Sequence, residues 1–199
     1  MIKKNCAVFI SGKGSNLESL IKENNKEDFP IEIKLIISDK SNAEGLKYSK
    51  IYNINCLPLD YLNFEDKKDF EIKLLDILTD NNIEIICLAG YMRILSSFFI
   101  QSFEGPILNI HPSLLPKYKG LNTHQRALDN NDKLAGCTVH YVSENVDSGE
   151  IILQKSLNIN EDDTCESLQK RVLKLEHQAY SDAIRKIFTQ TNISSSVKN

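Results

Sequence analysis

Asn109-Ile110-His111-Pro112 puts an amide and an imidazole two positions apart at the end of an apolar run. On an extended strand alternate side chains share a face, so Asn109 and His111 project together while Ile110 turns to the layer behind. Pro112 brings no N–H to a central ladder, and the strand is expected to stop there. An amide donor and an imidazole at a strand terminus can grip a developing oxyanion and move a proton. Asp147, in Val146-Asp147-Ser148-Gly149, is the natural partner, because a carboxylate that reaches His111 favours the imidazolium and raises its pKa. Each residue has a plainer explanation by itself, as a satisfied structural histidine or an Asp-x-Gly turn. Their combination is what argues for catalysis.

A second candidate is Ser11-Gly12-Lys13-Gly14-Ser15-Asn16, which follows the first apolar run and precedes a helical stretch over 16–23. Glycines let a backbone turn tightly and offer its N–H groups to an anion, and a helix N-terminus adds a favourable dipole. The pattern is not a P-loop, and Leu17 stands where a dinucleotide fingerprint needs its third glycine. One small phosphate ester is the ligand this favours, set against a bare turn with Ser15 as helix cap. The other histidines offer less. His124 and Gln125 begin a predicted helix, His140 lies in a predicted strand, and His177 follows Glu176 on the last helix. No two histidines are spaced i, i+4, so no metal is expected.

These residues must be positioned by a fold, and the hydrophobic pattern specifies one. Strands are predicted at Ala7–Ser11, Ile33–Ser38, Asn55–Leu59, Ile83–Ala89 and Ile107–His111, with a closer pair at Thr138–Val142 and Ile151–Leu157. Continuous runs such as Ile85-Ile86-Cys87-Leu88-Ala89 suit central strands covered on both faces. Between them, Phe70, Leu74, Ile77 and Leu78 share one helix face. The last helix carries Leu168, Val172, Leu175, Ala179, Ala183 and Ile187 as a stripe, starting after the N-cap residue Thr164. The expected fold class is α/β: a Rossmann-like, doubly wound, mostly parallel sheet with helices on both faces and a late antiparallel strand pair. One domain is expected over 1–190, followed by a polar tail over 191–199. In such sheets ligands bind beyond the carboxyl ends of the strands, near a topological switch point. Both candidate motifs follow strand ends.

Composition narrows the function classes. A chain of 199 residues with 41% hydrophobic side chains can build a sizeable core, and a net charge of −3 gives no reason to expect nucleic acid. No apolar run is long enough to span a membrane, and the apolar opening after Lys3-Lys4 is short for a signal peptide. The five cysteines are odd in number and lack C-x-x-C spacing, so small core residues in a reduced cytoplasm are expected rather than disulfides.

Taken together, the motifs resemble a known family. Ala89-Gly90-Tyr91-Met92-Arg93-Ile94-Leu95, followed by Leu108-Asn109-Ile110-His111-Pro112-Ser113-Leu114-Leu115-Pro116, is similar to the signature of the folate-dependent formyltransferases. Gly136-Cys137-Thr138-Val139-His140-Tyr141-Val142, leading to Asp147-Ser148-Gly149, resembles that family's second signature. The Gly12–Asn16 loop narrows the likeness to members that formylate phosphoribosylglycinamide in de novo purine biosynthesis. The resemblance runs from about Ala7 to about Ile187.

It implies transfer of a formyl group from the co-substrate 10-formyltetrahydrofolate to the glycinamide amine of a ribose-5-phosphate ester, without a metal. By resemblance, Gly14, Ser15 and Asn16 hold the substrate phosphate, with Gly12 and Lys13 shaping the loop. Met92, Arg93, Ile94 and Leu95 line the folate pocket with the loop before Asp147. Asn109, His111 and Asp147 match the catalytic trio, Asn109 also contacting folate. Glu176 matches a residue that contacts the ribonucleotide, and Lys67 stands where some members carry a folate-contacting Arg. Many members continue past the last helix into a further strand or hairpin, whereas Phe188 is followed here by the polar tail. The implied partners are small-molecule substrates, with the chain a monomer or homodimer.

The rivals each lack something. A methionyl-tRNA formyltransferase needs an added basic RNA-binding domain, and a formyltetrahydrofolate hydrolase usually carries an added regulatory domain. A phosphate-sensing binding module has no use for Asn109, His111 and Asp147 together. An NAD oxidoreductase is disfavoured by Leu17, with Asp39 the lone candidate for a ribose acid.

Overall fold

The structure is a computed structural model that describes residues 2–196, with side chains described for 2–188. Contacts divide the chain into two compact units, with the division between Asn109 and Ile110.

The first unit turns the early apolar runs into parallel strands: β1 (Lys4–Ile10), β2 (Ile31–Ser38), β3 (Asn55–Pro58), β4 (Ile85–Leu88) and β5 (Ile107–His111), whose last two residues belong to the second unit. Their order is β3-β2-β1-β4-β5. Cys6 to Ile10 of β1 are fully buried, as expected of a central strand covered on both faces. The helices are α1 (Ser15–Asn24), α2 (Lys47–Tyr52), α3 (Lys67–Asp80) and α4 (Ser97–Ser102). From β1 the chain winds outward to β3, then returns to β4 on the other side of β1. With right-handed crossovers, that reversal puts α1 and α2 on one face and α3 and α4 on the other. The gap between the carboxyl ends of β1 and β4 is the topological switch point.

Helix α3 starts where Asp66 accepts from the Asp69 N–H at 2.8 Å. Phe70, Leu74 and Leu78 are buried as expected, but Ile77 is only half-buried and the carboxylate of Glu71 shares the buried face. Cys6 and Cys87 bring their thiols within 3.7 Å in the core, and with Cys137 they are buried and free.

The second unit contains the end of β5, then β6 (Leu134–Tyr141) and β7 (Ile151–Asn158), an antiparallel pair in register from Leu134↔Asn158 to His140↔Ile151. Two helices complete it, α5 (Thr123–Asp129) and α6 (Cys165–Ser196). Thr164 Oγ1 accepts from the Ser167 N–H at 3.1 Å while Ser167 Oγ accepts from the Thr164 N–H at 2.9 Å, a reciprocal cap that starts α6. The helix buries Leu168, Val172, Ala179, Tyr180, Ala183 and Ile184 against β6 and β7. Leu175 and Ile187, expected on that stripe, are half-buried at its edge. No Gly or Pro interrupts 165–196, and the helix continues through 191–196 of the polar C-terminal segment; residues 197–199 lie outside the described residues. The architecture is the expected α/β class, mostly parallel with a late antiparallel pair.

Candidate active site

In the first unit, the loop after β1 is built around a left-handed glycine. Gly14 has φ 72° and precedes α1 as its N-cap, with no side-chain cap on the helix. Ser15 is therefore the first helical residue rather than a cap, and the N–H groups of the first turn keep their capacity for an anion. A β-carbon on Gly14 would lie 2.8 Å from Gly45 Cα, and the Gly45 N–H donates to the Gly12 carbonyl at 2.9 Å. Position and conformation both demand glycine. Asn16 is buried just inside the helix. Glu18, in the first turn, is paired with Lys22 at 2.8 Å and accepts from the Tyr48 hydroxyl at 2.9 Å, which together hold its carboxyl below the usual range. Gly14→Ala is expected to raise KM for a phosphorylated substrate about tenfold or more, with kcat much less affected, because the loop's N–H groups are displaced. Steady-state kinetics with varied phosphate ester checks this, and an unchanged KM would remove the loop from phosphate binding.

The segment after β4 meets that loop at Ser11. The Ser11 N–H donates to the Gly90 carbonyl at 3.2 Å, and the Met92 N–H donates to Ser11 Oγ at 2.8 Å. Arg93 lies with its guanidinium carbon 3.4 Å from the centre of the Tyr61 ring and its Nε 3.1 Å from Asp39, a carboxylate that is almost wholly buried. At the far end, Glu71 accepts from the Ser96 N–H at 2.8 Å and from the Ser96 hydroxyl. Ser96 in turn caps α4 through the Phe99 N–H. Lys67 Nζ stands 4.0 Å from Glu71. The segment is thus pinned at both ends by buried carboxylates while Met92 and Ile94 stay 61% exposed, and Leu95 is buried. Exposed apolar side chains on a fixed, glycine-led backbone suit a flat heterocycle with polar edges.

In the second unit, β5 delivers His111, 5% exposed, to its carboxyl end. Its Nε2 is 2.8 Å from the Tyr118 carbonyl and its Nδ1 3.3 Å from Asp147 Oδ2. Asp147 Oδ2 also accepts from the Gly120 N–H at 2.8 Å, and its Oδ1 is 3.7 Å from His140 Nε2. The Asp147 turn is fixed by Gly149, where a β-carbon would collide with the Tyr141 carbonyl. Both nitrogens of His111 face acceptors, which favours the charged ring. Burial outweighs them: it pulls the His111 pKa below the ordinary histidine value, against the opposing Tyr118 carbonyl and Asp147 charge. The net rise expected from the sequence is therefore reversed. Burial also works to raise Asp147, but His140, the Gly120 N–H and the His111 ring together hold its carboxyl below its usual value. At neutral pH the dyad is a neutral imidazole beside a carboxylate, ready to accept a proton.

Asn109 precedes His111 by two positions on β5, half-buried and on the same strand face. Glu176 lies on the buried side of α6. Burial and the Glu176 charge push the Cys137 thiol of β6 up to about 12. Sequence reading missed Tyr61, Glu71, Tyr118 and Gly120, named Ser11 only as the start of the glycine loop and Asp39 only as a ribose acid, and set His140 aside as a strand residue. Only Gly120, with φ 76°, had a local signal as a turn glycine.

A switch-point loop suited to an anion and a buried His–Asp pair at a strand end define an enzyme of the doubly wound α/β class. Residues 4–184 match the formyl transferase family, and the chain belongs to that family. It is 37% identical over 189 residues to the phosphoribosylglycinamide formyltransferase of Bacillus subtilis (strain 168), covering 95% of this chain and 97% of that protein. It is 42% identical over 183 residues to the trifunctional purine biosynthetic protein adenosine-3 of Gallus gallus, matching 92% of this chain but spanning only 18% of that relative. The crystal structure of phosphoribosylglycinamide formyltransferase from Brucella melitensis superposes with a TM-score of 0.90 at 47% identity, covering 93% of this chain and 95% of that one.

Proposed function

We propose that this chain transfers the formyl group of 10-formyltetrahydrofolate to the amine of phosphoribosylglycinamide, giving the formylglycinamide ribonucleotide of purine biosynthesis. The observation that carries the reading is His111, buried and held between the Tyr118 carbonyl and Asp147 in a member of the formyl transferase family. Gly14, Ser15 and Asn16 take the substrate phosphate, and Glu176 contacts the ribonucleotide. Met92, Arg93, Ile94 and Leu95 take the folate, with Lys67 at its edge. The amine lone pair adds to the formyl carbon, and the carbonyl oxygen gains charge that the Asn109 amide and the His111 ring stabilise. The His111–Asp147 pair takes up the proton released by the amine and returns it to the departing folate nitrogen as the old C–N bond breaks. Asp147 offsets the transient imidazolium. Proton transfer of this kind contributes about 10²–10⁴-fold and one oxyanion donor about 10²–10³-fold.

No described helix is long and apolar enough to cross a membrane. The same reading has the enzyme working on small molecules in the cytoplasm, without nucleic acid, as a monomer or homodimer. Loss of the formyl group from 10-formyltetrahydrofolate, followed with and without the ribonucleotide, is the test. Turnover that requires the ribonucleotide is expected. Turnover without it would point to a hydrolase, and silence in both would leave a binding module.

A further inference from the structure

The loop from Ser113 to Asn122 touches both members of the dyad within three residues. The Tyr118 carbonyl receives His111 Nε2 at 2.8 Å, and the Gly120 N–H donates to Asp147 at 2.8 Å. Tyr118, with φ 56°, holds a left-handed conformation that a residue with a β-carbon disfavours, so something must keep it there. Apolar packing is incomplete, because Tyr118 lines a cavity of about 420 Å³ together with Pro112, Leu114, Ala127 and Leu134, although the Arg126 guanidinium carbon stands 5.0 Å from the ring centre. Polar ties add to the hold. The Tyr118 hydroxyl donates to Asp132 Oδ2 at 2.9 Å, and Lys117 Nζ reaches both oxygens of Asp132 at 2.9 and 3.1 Å. The Asp132 side chain is only 16% exposed, and its backbone N–H is fixed on the Ala127 carbonyl at the end of α5. Further ties support the loop backbone: Ser113 Oγ donates to the Lys117 carbonyl at 2.6 Å and more weakly to the Tyr118 carbonyl at 3.4 Å, and Arg126 donates to the Lys119 carbonyl at 2.7 Å and to the Leu121 carbonyl at 3.4 Å.

We propose that Asp132 is a positioning residue for the His111 ring: by anchoring the Tyr118 hydroxyl it aims the Tyr118 carbonyl at His111 Nε2. Asp132 touches neither His111 nor any reacting atom. It acts through a single side chain whose other end, the backbone carbonyl, sets the orientation of the imidazole. Lys117 holds the Asp132 carboxyl below its usual range, so the anchor is ionised throughout neutral pH. The charged and titratable groups around His111 are Asp147, His140 of β6, and Arg126 and His124 of α5. A change at Asp132 or at the Tyr118 hydroxyl removes none of them, but Asp132→Ala also deletes a carboxylate and frees the Lys117 cation, whereas Tyr118→Phe alters no charge, so a shift shared by both variants reports the carbonyl.

The inference rests on the formyl-transfer reading for its kinetic arm only. Asp132→Ala and Tyr118→Phe are prepared in the full chain, and the His111 ring is titrated by NMR beside kcat, KM and thermal unfolding. Each variant is expected to move the His111 midpoint further down, because the carbonyl that raises it has lost its aim. Each is also expected to lower kcat about tenfold with KM for the ribonucleotide within about twofold, the signature of a misaimed group. The double variant should be no worse than the weaker single one, since both break the same tie. Asp132→Asn, which keeps an acceptor for the hydroxyl, should recover part of the loss. An unmoved His111 midpoint in folded Asp132→Ala would overturn the proposal. If that variant does not fold, Tyr118→Phe decides by the same midpoint, having lost one hydroxyl. A wild-type protein inert toward both substrates would overturn the formyl-transfer reading, and the titration would still decide the role of Asp132.

Discussion

His111→Ala should lose about 10³-fold or more in kcat while remaining folded. The ring carries the positive charge that proton uptake places on the dyad and helps stabilise the oxyanion, and alanine supplies neither function. The substitution leaves the Tyr118 carbonyl and the Asp147 carboxylate without the partner each has in the native protein. Asp147 keeps the Gly120 N–H and stays close to His140, so it is not stranded. The stability cost should therefore be about 1–3 kcal/mol, less than the total of about 5–15 kcal/mol typical of a folded domain. The phosphate loop, 14–16, is unaltered, and KM for the ribonucleotide should stay within about threefold if that loop supplies uniform binding. Circular dichroism and denaturant unfolding establish the fold, and single-turnover kinetics separates chemistry from product release. Wild-type-like turnover from a folded variant would strip His111 of its assigned role. A loss confined to KM would make it a binding residue instead.

The central strands were legible because both faces of a parallel sheet are buried there, which writes unbroken apolar runs into the sequence; the edge strand β3, largely exposed, has no such run. Ile107–His111 was bounded at both ends, Pro112 closing it. Helix faces were legible in outline, but Ile77 and Leu175 show the limit of a period. Both have the spacing of core residues, yet each lies at the edge of a stripe whose width is set by the partner surface. The candidate site was legible where one motif carries it, as at Gly14 or at Asn109 and His111. It was not legible where polar groups meet across long separations. Asp39 pairs with Arg93, and Ser96 bonds to Glu71 across 25 positions. Nothing local in either sequence marks the pair. The direction of the His111 pKa was misread for a related reason. The Asp147 contribution has the expected sign, but burial is a property of the assembled unit and exceeds it.

Asp147→Asn should lower the His111 midpoint further and cut kcat about 10²-fold. Asparagine keeps an oxygen for the Gly120 N–H, so the turn and the loop are preserved while the charge is removed. With Asp147 ionised, its proximity at 3.3 Å partly offsets the cost of a buried imidazolium. Without it, only the Tyr118 carbonyl still opposes burial. The proton-accepting form of His111 then persists to lower pH, so the acid limb of the rate profile should move down while the plateau falls, because the imidazolium formed during the reaction is less stabilised.

Stability gives an independent check on the sign. His111 has its folded pKa below the ordinary value, so as pH falls the unfolded chain takes up the proton first. That stabilising contribution is complete above the ordinary histidine pKa and is lost as pH falls toward the folded one. In Asp147→Asn the folded value lies lower still, and the window of loss extends to more acidic pH. The depressed Asp147 pKa makes a separate contribution, present above the ordinary carboxylate value and lost as pH falls through the folded one; the variant lacks it. NMR titration of His111 beside urea unfolding at stepped pH separates the two. A midpoint that stays put while turnover collapses would mean that Asp147 serves the reaction through the Gly120 loop or a bound water rather than through the charge it presents to His111.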